Sequence, residues 1–108
     1  MVLEVDVRAF AAAHAEGAFV IDVREPYEYV SGHVPGAVMA PLNSIPHAAH
    51  QLPADRTIYV ICASGSRSLA AAAWLSQMGL EARSVAGGTA AWVGAGHPVA
   101  LGRDESAA

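Results

Sequence analysis

The apolar positions of this chain follow two different periods. Short apolar runs indicate strands, and the run at residues 57–61, which is β-branched and aromatic, indicates a strand buried on both faces of a sheet. Between these runs, either apolar residues recur at helical spacing or turn residues interrupt the pattern. The predicted strands cover residues 1–4, 19–23, 37–39, 57–61 and 81–85.

Helices are predicted between these strands. The clearest one follows residues 57–61, where Ala71, Leu75 and Met78 recur at i, i+4 and i+7 and Gly79 supplies a stop. The others are a helix capped by Asp6 and stopped at Gly17, one turn at 27–30, a helix at 42–52 with Pro46 in its first turn, and a helix at 89–94 capped by Thr89. Alternating strands and helices predict an α/β domain, whose central, mostly parallel sheet of about five strands carries helices on both faces.

Chemistry-bearing residues collect where two of the predicted strands end. Sites in parallel sheets lie at the carboxyl ends of strands, and Cys62, Asp22 and Arg24 all occupy such positions. Cys62 opens a short polar segment, residues 62–68, which we call the cysteine loop. After Cys62, its candidate site residues are Ala63, Ser64, Gly65, Ser66, Arg67 and Ser68, with the helix expected to begin at Arg67.

The composition of the cysteine loop favours a reactive thiolate. A lone cysteine at a strand end is more often an inert core residue. Here, however, loop N–H groups and a helix start can stabilise an anion, and Arg67 adds a permanent positive charge. Such surroundings lower the pKa of a thiol from about 8.5 and enrich the nucleophilic form at neutral pH. We therefore expect Cys62 to be a nucleophile.

Length and charge narrow the function classes. At 108 residues we expect one domain spanning residues 1–108, with 102–108 as a mobile tail. The net charge is −4 and all six cations are arginine, so a basic nucleic-acid-binding surface is excluded. No apolar stretch is long enough to span a membrane, and early acidic residues argue against a signal peptide. The single cysteine fits a reducing compartment, so we expect a cytoplasmic protein.

Five motifs occur in a characteristic order: DVREP at 22–26 with Glu28 and Tyr29 after it, GHVPGA at 32–37, CASGSRS at 62–68, the glycine pair at 87–88, and Trp92. Together they make residues 2–102 similar to single-domain rhodaneses, a family of sulfurtransferases. The resemblance implies a rhodanese-like fold, in which Cys62 accepts a sulfane sulfur from a small anionic donor such as thiosulfate. The resulting persulfide, stabilised by the amides of residues 63–68, would pass its sulfur to cyanide or a thiol. The thiol could belong to a protein. No cofactor or membrane partner is implied, and we expect a monomer.

Two other functions stay open. The related dual-specificity phosphatases of the cell-cycle type place five residues between cysteine and arginine, whereas four separate Cys62 from Arg67. A rhodanese-related phosphatase or arsenate reductase is the enzymatic alternative. The non-enzymatic alternative is a rhodanese-like binding module, although such modules commonly lack the cysteine.

Two charged residues are expected to support the site. Asp22 should position the cysteine loop by accepting hydrogen bonds from Arg67 or from loop amides. Arg24 should pair with Glu25, Glu28 or a neighbouring loop.

The remaining motif residues are expected to be structural. His33 should hold the 32–36 loop, and the glycine pair Gly87 and Gly88 should allow close approach to the active-site rim. His47 and His50 lie three residues apart on a predicted helix, which is typical of an exposed face rather than of a metal site. No metal site is predicted.

Overall fold

The computed structural model describes residues 3–103. Its five strands are β1 (Glu4–Val5), β2 (Phe19–Asp22), β3 (Val38–Met39), β4 (Ile58–Ile61) and β5 (Ala82–Val85). They form one sheet in the spatial order β1-β5-β4-β2-β3, and each pairing between neighbours is parallel. β4 therefore occupies the centre, so Cys62 emerges from the middle of the sheet edge.

Helices cover both faces of the sheet, which confirms the predicted α/β architecture. Alternation along β4 divides the interior into two apolar cores. Val60 packs with Leu75 on one face, while Ile61 packs with Phe10 and Trp92 on the other. The α-helices are α1 (Val7–Ala15), α2 (Pro26–Ser31), α3 (Ile45–Ala48), α4 (Ser66–Gln77) and α5 (Gly88–Gly94). Across residues 3–103, no helix combines the length and apolar character that crossing a bilayer would need.

Most element positions match the sequence predictions within one or two residues. The Asp6 cap is confirmed, because its carboxylate accepts a hydrogen bond from the Ala9 N–H at 2.8 Å. The stop at Gly17 is confirmed as well, since α1 ends at Ala15. The start of the predicted first strand, residues 1 and 2, and most of the predicted tail, residues 104–108, lie outside the described residues.

The predicted helix at 42–52 is wrong as a continuous element. The segment consists of a 3-10 turn at Leu42–Ser44, the short helix α3, and a second 3-10 turn at Ala49–Gln51. Pro46 lies in the first turn of α3, as expected, but it has no N–H to donate back to Leu42. The helical hydrogen-bond ladder therefore cannot run through this position, and the segment divides.

Three details of the other helices also differ from expectation. α4 begins at Ser66, one residue earlier than predicted, and Met78 lies just beyond its last residue with 52% of its surface exposed. Met78 is therefore not part of the buried stripe that Ala71 and Leu75 form. Thr89 does not cap α5, because Gly87 occupies the cap position and the Thr89 hydroxyl is used elsewhere.

Candidate active site

Cys62 lies at the floor of a pocket of hydrogen-bond donors. The residue is only 1% exposed and follows β4 directly. Its Sγ atom accepts hydrogen bonds from the N–H of Gly65 at 3.1 Å and the N–H of Ser68 at 3.3 Å. The Ser68 hydroxyl lies 3.3 Å from the same sulfur. The cysteine loop thus curls around the sulfur atom with its donors pointing inward, as an anionic sulfur requires.

These contacts lower the pKa of the Cys62 thiol. Burial by itself raises the pKa of the thiol, because it penalises the charged form. Hydrogen bonds from the Ser68 hydroxyl and from the amides of Ser68, Gly65 and Ser64 outweigh burial, and the pKa lies below its ordinary value. The local donors therefore stabilise the thiolate that the sequence led us to expect.

Glycines at two positions let the loop fold this tightly. Gly65 adopts a φ of +111° as the residue before α4, and a Cβ there would lie 3.1 Å from the Gly87 nitrogen. A Cβ on Gly88 would lie 2.5 Å from the Cys62 carbonyl oxygen and 2.7 Å from the Ala63 carbonyl carbon. The predicted close approach of the glycine pair to the active-site rim is confirmed.

The start of α5 holds the backbone of the cysteine loop. The Thr89 N–H donates to the Cys62 carbonyl at 2.8 Å, and the Thr89 hydroxyl donates to the same oxygen at 3.0 Å. The Ala90 N–H donates to the Ala63 carbonyl at 3.1 Å. Because α5 N–H groups at a helix start lack partners within the helix, they are free to fix the loop instead.

Arg67 forms a two-pronged ion pair with Glu28. Its Nη1 donates to Oε1 at 2.7 Å and its Nη2 donates to Oε2 at 2.9 Å. Hydrogen bonding to Arg67 lowers the pKa of Glu28 to about 2 and, reciprocally, raises the pKa of the Arg67 guanidinium. Glu28 also accepts from the Glu25 N–H at 2.9 Å, which ties Arg67 to the first turn of α2.

The expected contacts of Asp22 are wrong. Its buried carboxylate accepts hydrogen bonds from the backbone N–H and the guanidinium of Arg24, the closest at 2.8 Å, rather than from Arg67 or the loop amides. Arg24 therefore has Asp22 as its carboxylate partner instead of Glu25 or Glu28. Its predicted contact with a neighbouring loop is confirmed, because Nη2 donates to the Gly32 carbonyl at 2.8 Å. The pair holds the 32–36 loop.

His33 lies in the interior with no exposed surface. Its ring stacks on Tyr29 with 3.7 Å between ring centroids, and its Nδ1 lies 2.9 Å from the Tyr29 carbonyl oxygen. The backbone of His33 itself pairs with Ala100 in an isolated antiparallel bridge. These contacts agree with the structural role expected for His33.

Three residues at the site were not predicted to belong to it. Glu28 entered as a motif member and a possible partner of Arg24, Thr89 as a helix cap, and Ser84 only as part of a strand. Ser84 is fully buried on β5, with its Oγ 2.7 Å from the Ser68 Oγ. The available signal was a serine inside a strand of a sheet that was predicted to carry helices on both faces. No cluster of three or more potential metal ligands occurs within residues 3–103.

Comparison with known proteins identifies the family to which this chain belongs. The family model described as Rhodanese-like domain matches residues 6–95. The chain belongs to the rhodanese-like domain family. Among the solved structures, a rhodanese-related protein from Thermoplasma volcanium is similar, with a TM-score of 0.85 and 34% identity over 91% of this chain and 97% of that one.

Two curated relatives of this rhodanese-like domain have nearly its own length. A protein named sulfurtransferase from Allochromatium vinosum is 34% identical over 102 residues, which cover 92% of this chain and 95% of that protein. A thiosulfate sulfurtransferase, GlpE, from Pseudomonas entomophila is 35% identical over 82 residues and 75% of either chain. The resemblance noted in the sequence motifs is therefore confirmed at the level of family and fold.

Proposed function

We propose that this rhodanese-like domain is a sulfurtransferase that works through a persulfide on Cys62. The observation that carries the proposal is the set of amide and hydroxyl donors directed at the Cys62 sulfur. The sulfurtransferase names of its relatives support the same reaction class. The sulfur donor we propose is a small anion such as thiosulfate.

The reaction balances without an external oxidant or reductant. The Cys62 thiolate attacks the outer sulfur of thiosulfate, the S–S bond of the donor breaks, and sulfite leaves with the bonding electron pair. The enzyme is left with a Cys62 persulfide anion. Cyanide or a thiolate then attacks the outer sulfur, leaves as thiocyanate or as a new persulfide, and restores the Cys62 thiolate.

The cysteine loop can serve both anionic states of the sulfur. In the resting enzyme its donors stabilise the thiolate, which is the nucleophilic form. After the first transfer, the negative charge moves to the added sulfur, one atom further out. We propose that the amides of residues 63–68 share this charge, because those of Gly65 and Ser68 already donate to the Cys62 sulfur. Neither step needs a general base when the attacking group is an anion, because a thiolate or a cyanide ion has no proton to lose.

Arg67 is the group we propose for attracting the anionic donor. A guanidinium has five N–H donors, and Glu28 occupies two of those of Arg67. The side chain is 34% exposed, and within residues 3–103 the other N–H groups have no protein acceptor. Glu28 neutralises part of the charge and fixes the orientation of the guanidinium, which presents the unused donors to a ligand.

The acceptor must come from another molecule. The chain has one cysteine, so no second thiol can receive the sulfur internally. Cyanide or a small thiol fits this requirement, and so does a cysteine of a partner protein. A thiol acceptor and a reactive single cysteine both fit a reducing compartment, and we therefore propose the cytoplasm.

Intact-mass measurement tests the proposal directly. After incubation with thiosulfate and desalting, the wild-type protein should carry one additional sulfur atom, which cyanide or a reductant removes. Cys62→Ser, in which a hydroxyl nearly isosteric with the thiol replaces it, should remain folded and gain no sulfur. A folded Cys62→Ser variant that still converts thiosulfate and cyanide to thiocyanate would show that the reaction does not pass through Cys62.

A further inference from the structure

Ser84 has a second buried hydroxyl group, which contacts Ser68 rather than the Cys62 sulfur itself. Ser68 lies on the first turn of α4 and Ser84 on the neighbouring strand β5, and both are fully buried. Their Oγ atoms are 2.7 Å apart, and the Ser68 Oγ is 3.3 Å from the Cys62 Sγ. The three side chains form a chain of hydrogen bonds that ends on the nucleophile.

The direction of these hydrogen bonds, that is, which hydroxyl group donates, follows from the acceptors that are available to each hydrogen. Within residues 3–103, the Ser68 hydroxyl is the one hydrogen-bond partner of the Ser84 hydroxyl. A buried O–H group without an acceptor is strongly disfavoured, so Ser84 must donate to Ser68 rather than accept from it. The hydrogen of Ser68 is then directed away from Ser84.

Two acceptors remain for the Ser68 hydrogen. One is the Gly65 carbonyl at 3.2 Å, which also accepts from the Leu69 N–H at 3.2 Å. The other is the Cys62 sulfur, which as a thiolate carries a full charge and is the stronger acceptor. When Cys62 is a neutral thiol, its own hydrogen can point to Ser68 while Ser68 turns to Gly65. The two protonation states differ by one hydroxyl rotation, and the Ser84 hydrogen stays in place.

We propose that Ser84 is a positioning residue for Cys62, which donates to the Ser68 hydroxyl and so commits the Ser68 hydrogen to the thiolate. The proposal rests on the proposed role of Cys62 as the reactive thiolate. Because hydrogen bonds in such a chain polarise one another, donation from Ser84 also makes Ser68 a better donor. Ser84 touches neither the sulfur nor a substrate, and it acts only through Ser68.

The test is the pH dependence of Cys62 alkylation by iodoacetamide, which reports the thiolate fraction at the single cysteine. The isosteric pair Ser84→Thr and Ser84→Val differs only in the hydroxyl group, so both carry the same packing cost. Below the pKa, Ser84→Val should react about 2- to 10-fold more slowly than Ser84→Thr, as expected for weakening one hydrogen bond to an ionised group. Its pH profile should move to higher pH, while Ser84→Thr should keep the wild-type profile.

A matched serine on α4 provides the control. The Ser76 Oγ is buried and has no hydrogen-bond partner within residues 3–103, so Ser76→Ala should leave the profile unchanged. The smaller variant Ser84→Ala should behave like Ser84→Val, and either of them suffices if the other does not fold. Equal pH profiles for the threonine variant and the variants without a hydroxyl would overturn the proposal. Because alkylation needs no sulfur donor, this outcome is distinct from a failure of sulfur transfer.

Discussion

Gly88, the first residue of α5, packs against the backbone of the cysteine loop, and we expect its replacement by alanine to disturb both elements. Alanine there would place a Cβ 2.5 Å from the Cys62 carbonyl oxygen and 2.7 Å from both carbonyl atoms of Ala63. All three are backbone atoms, so no flexible side chain can move aside. Gly88 also has a φ of +58°, in the left-handed region that alanine adopts reluctantly. Gly88→Ala should therefore displace the loop as well as strain α5.

The expected cost has two parts. The left-handed backbone costs an alanine about 1–2 kcal/mol. Overpacking a well-packed interior costs about 1–3 kcal/mol more. Reduced freedom of the unfolded chain returns about 0.4–1 kcal/mol. The free energy of unfolding should fall by about 1–5 kcal/mol, and the loop contacts should account for more than half of the loss at the upper end.

Urea denaturation of matched glycine-to-alanine variants separates the cost of the backbone strain from the cost of the contacts with the cysteine loop. Gly79→Ala has the same kind of backbone strain, at a φ of +88°, but its Cβ would meet nothing within 4 Å. Gly94→Ala has neither strain nor close contact and should be neutral or slightly stabilising. Gly88→Ala should also load less sulfur from thiosulfate than Gly79→Ala, because the clash falls on the backbone of Cys62. Equal losses of stability and equal sulfur loading in Gly88→Ala and Gly79→Ala would refute the reasoning.

Two further predictions concern the ion pair at the site. Arg67→Ala should raise the KM for thiosulfate by about 10- to 150-fold, which is the equivalent of losing one hydrogen bond to a charged group. The effect on kcat should be smaller. An unchanged KM would show that Arg67 only anchors α2. Because the pKa of Glu28 falls from 4.5 to about 2 in the folded protein, its ionised form stabilises the fold above pH 4.5 and loses that contribution as the pH falls towards 2. The difference in the free energy of unfolding between wild type and Glu28→Gln, measured by urea denaturation, should therefore become smaller as the pH falls from 4.5 to 2. A difference that is constant over this range would contradict the assignment of the ion pair.

The periodic features of the fold could be predicted from the sequence. Apolar runs gave the strands near their observed positions, and helical spacing at Ala71 and Leu75 gave α4 and its buried stripe. The position of Cys62 at the carboxyl end of a central strand followed from the same pattern. These features depend on local backbone preference and on burial, which neighbouring residues encode directly.

The partners of charged and hydroxyl side chains were decided by the tertiary structure. Arg67 and Glu28 lie 39 residues apart, and Ser68 and Ser84 lie 16 apart, so no spacing along the chain marks either pair. Asp22, placed correctly at the strand end, nevertheless pairs with Arg24 instead of the cysteine loop. Such contacts depend on sheet order, on register and on side-chain direction to within a fraction of an ångström. A small displacement of either side chain can break a hydrogen bond, whereas the same displacement leaves a buried apolar side chain buried.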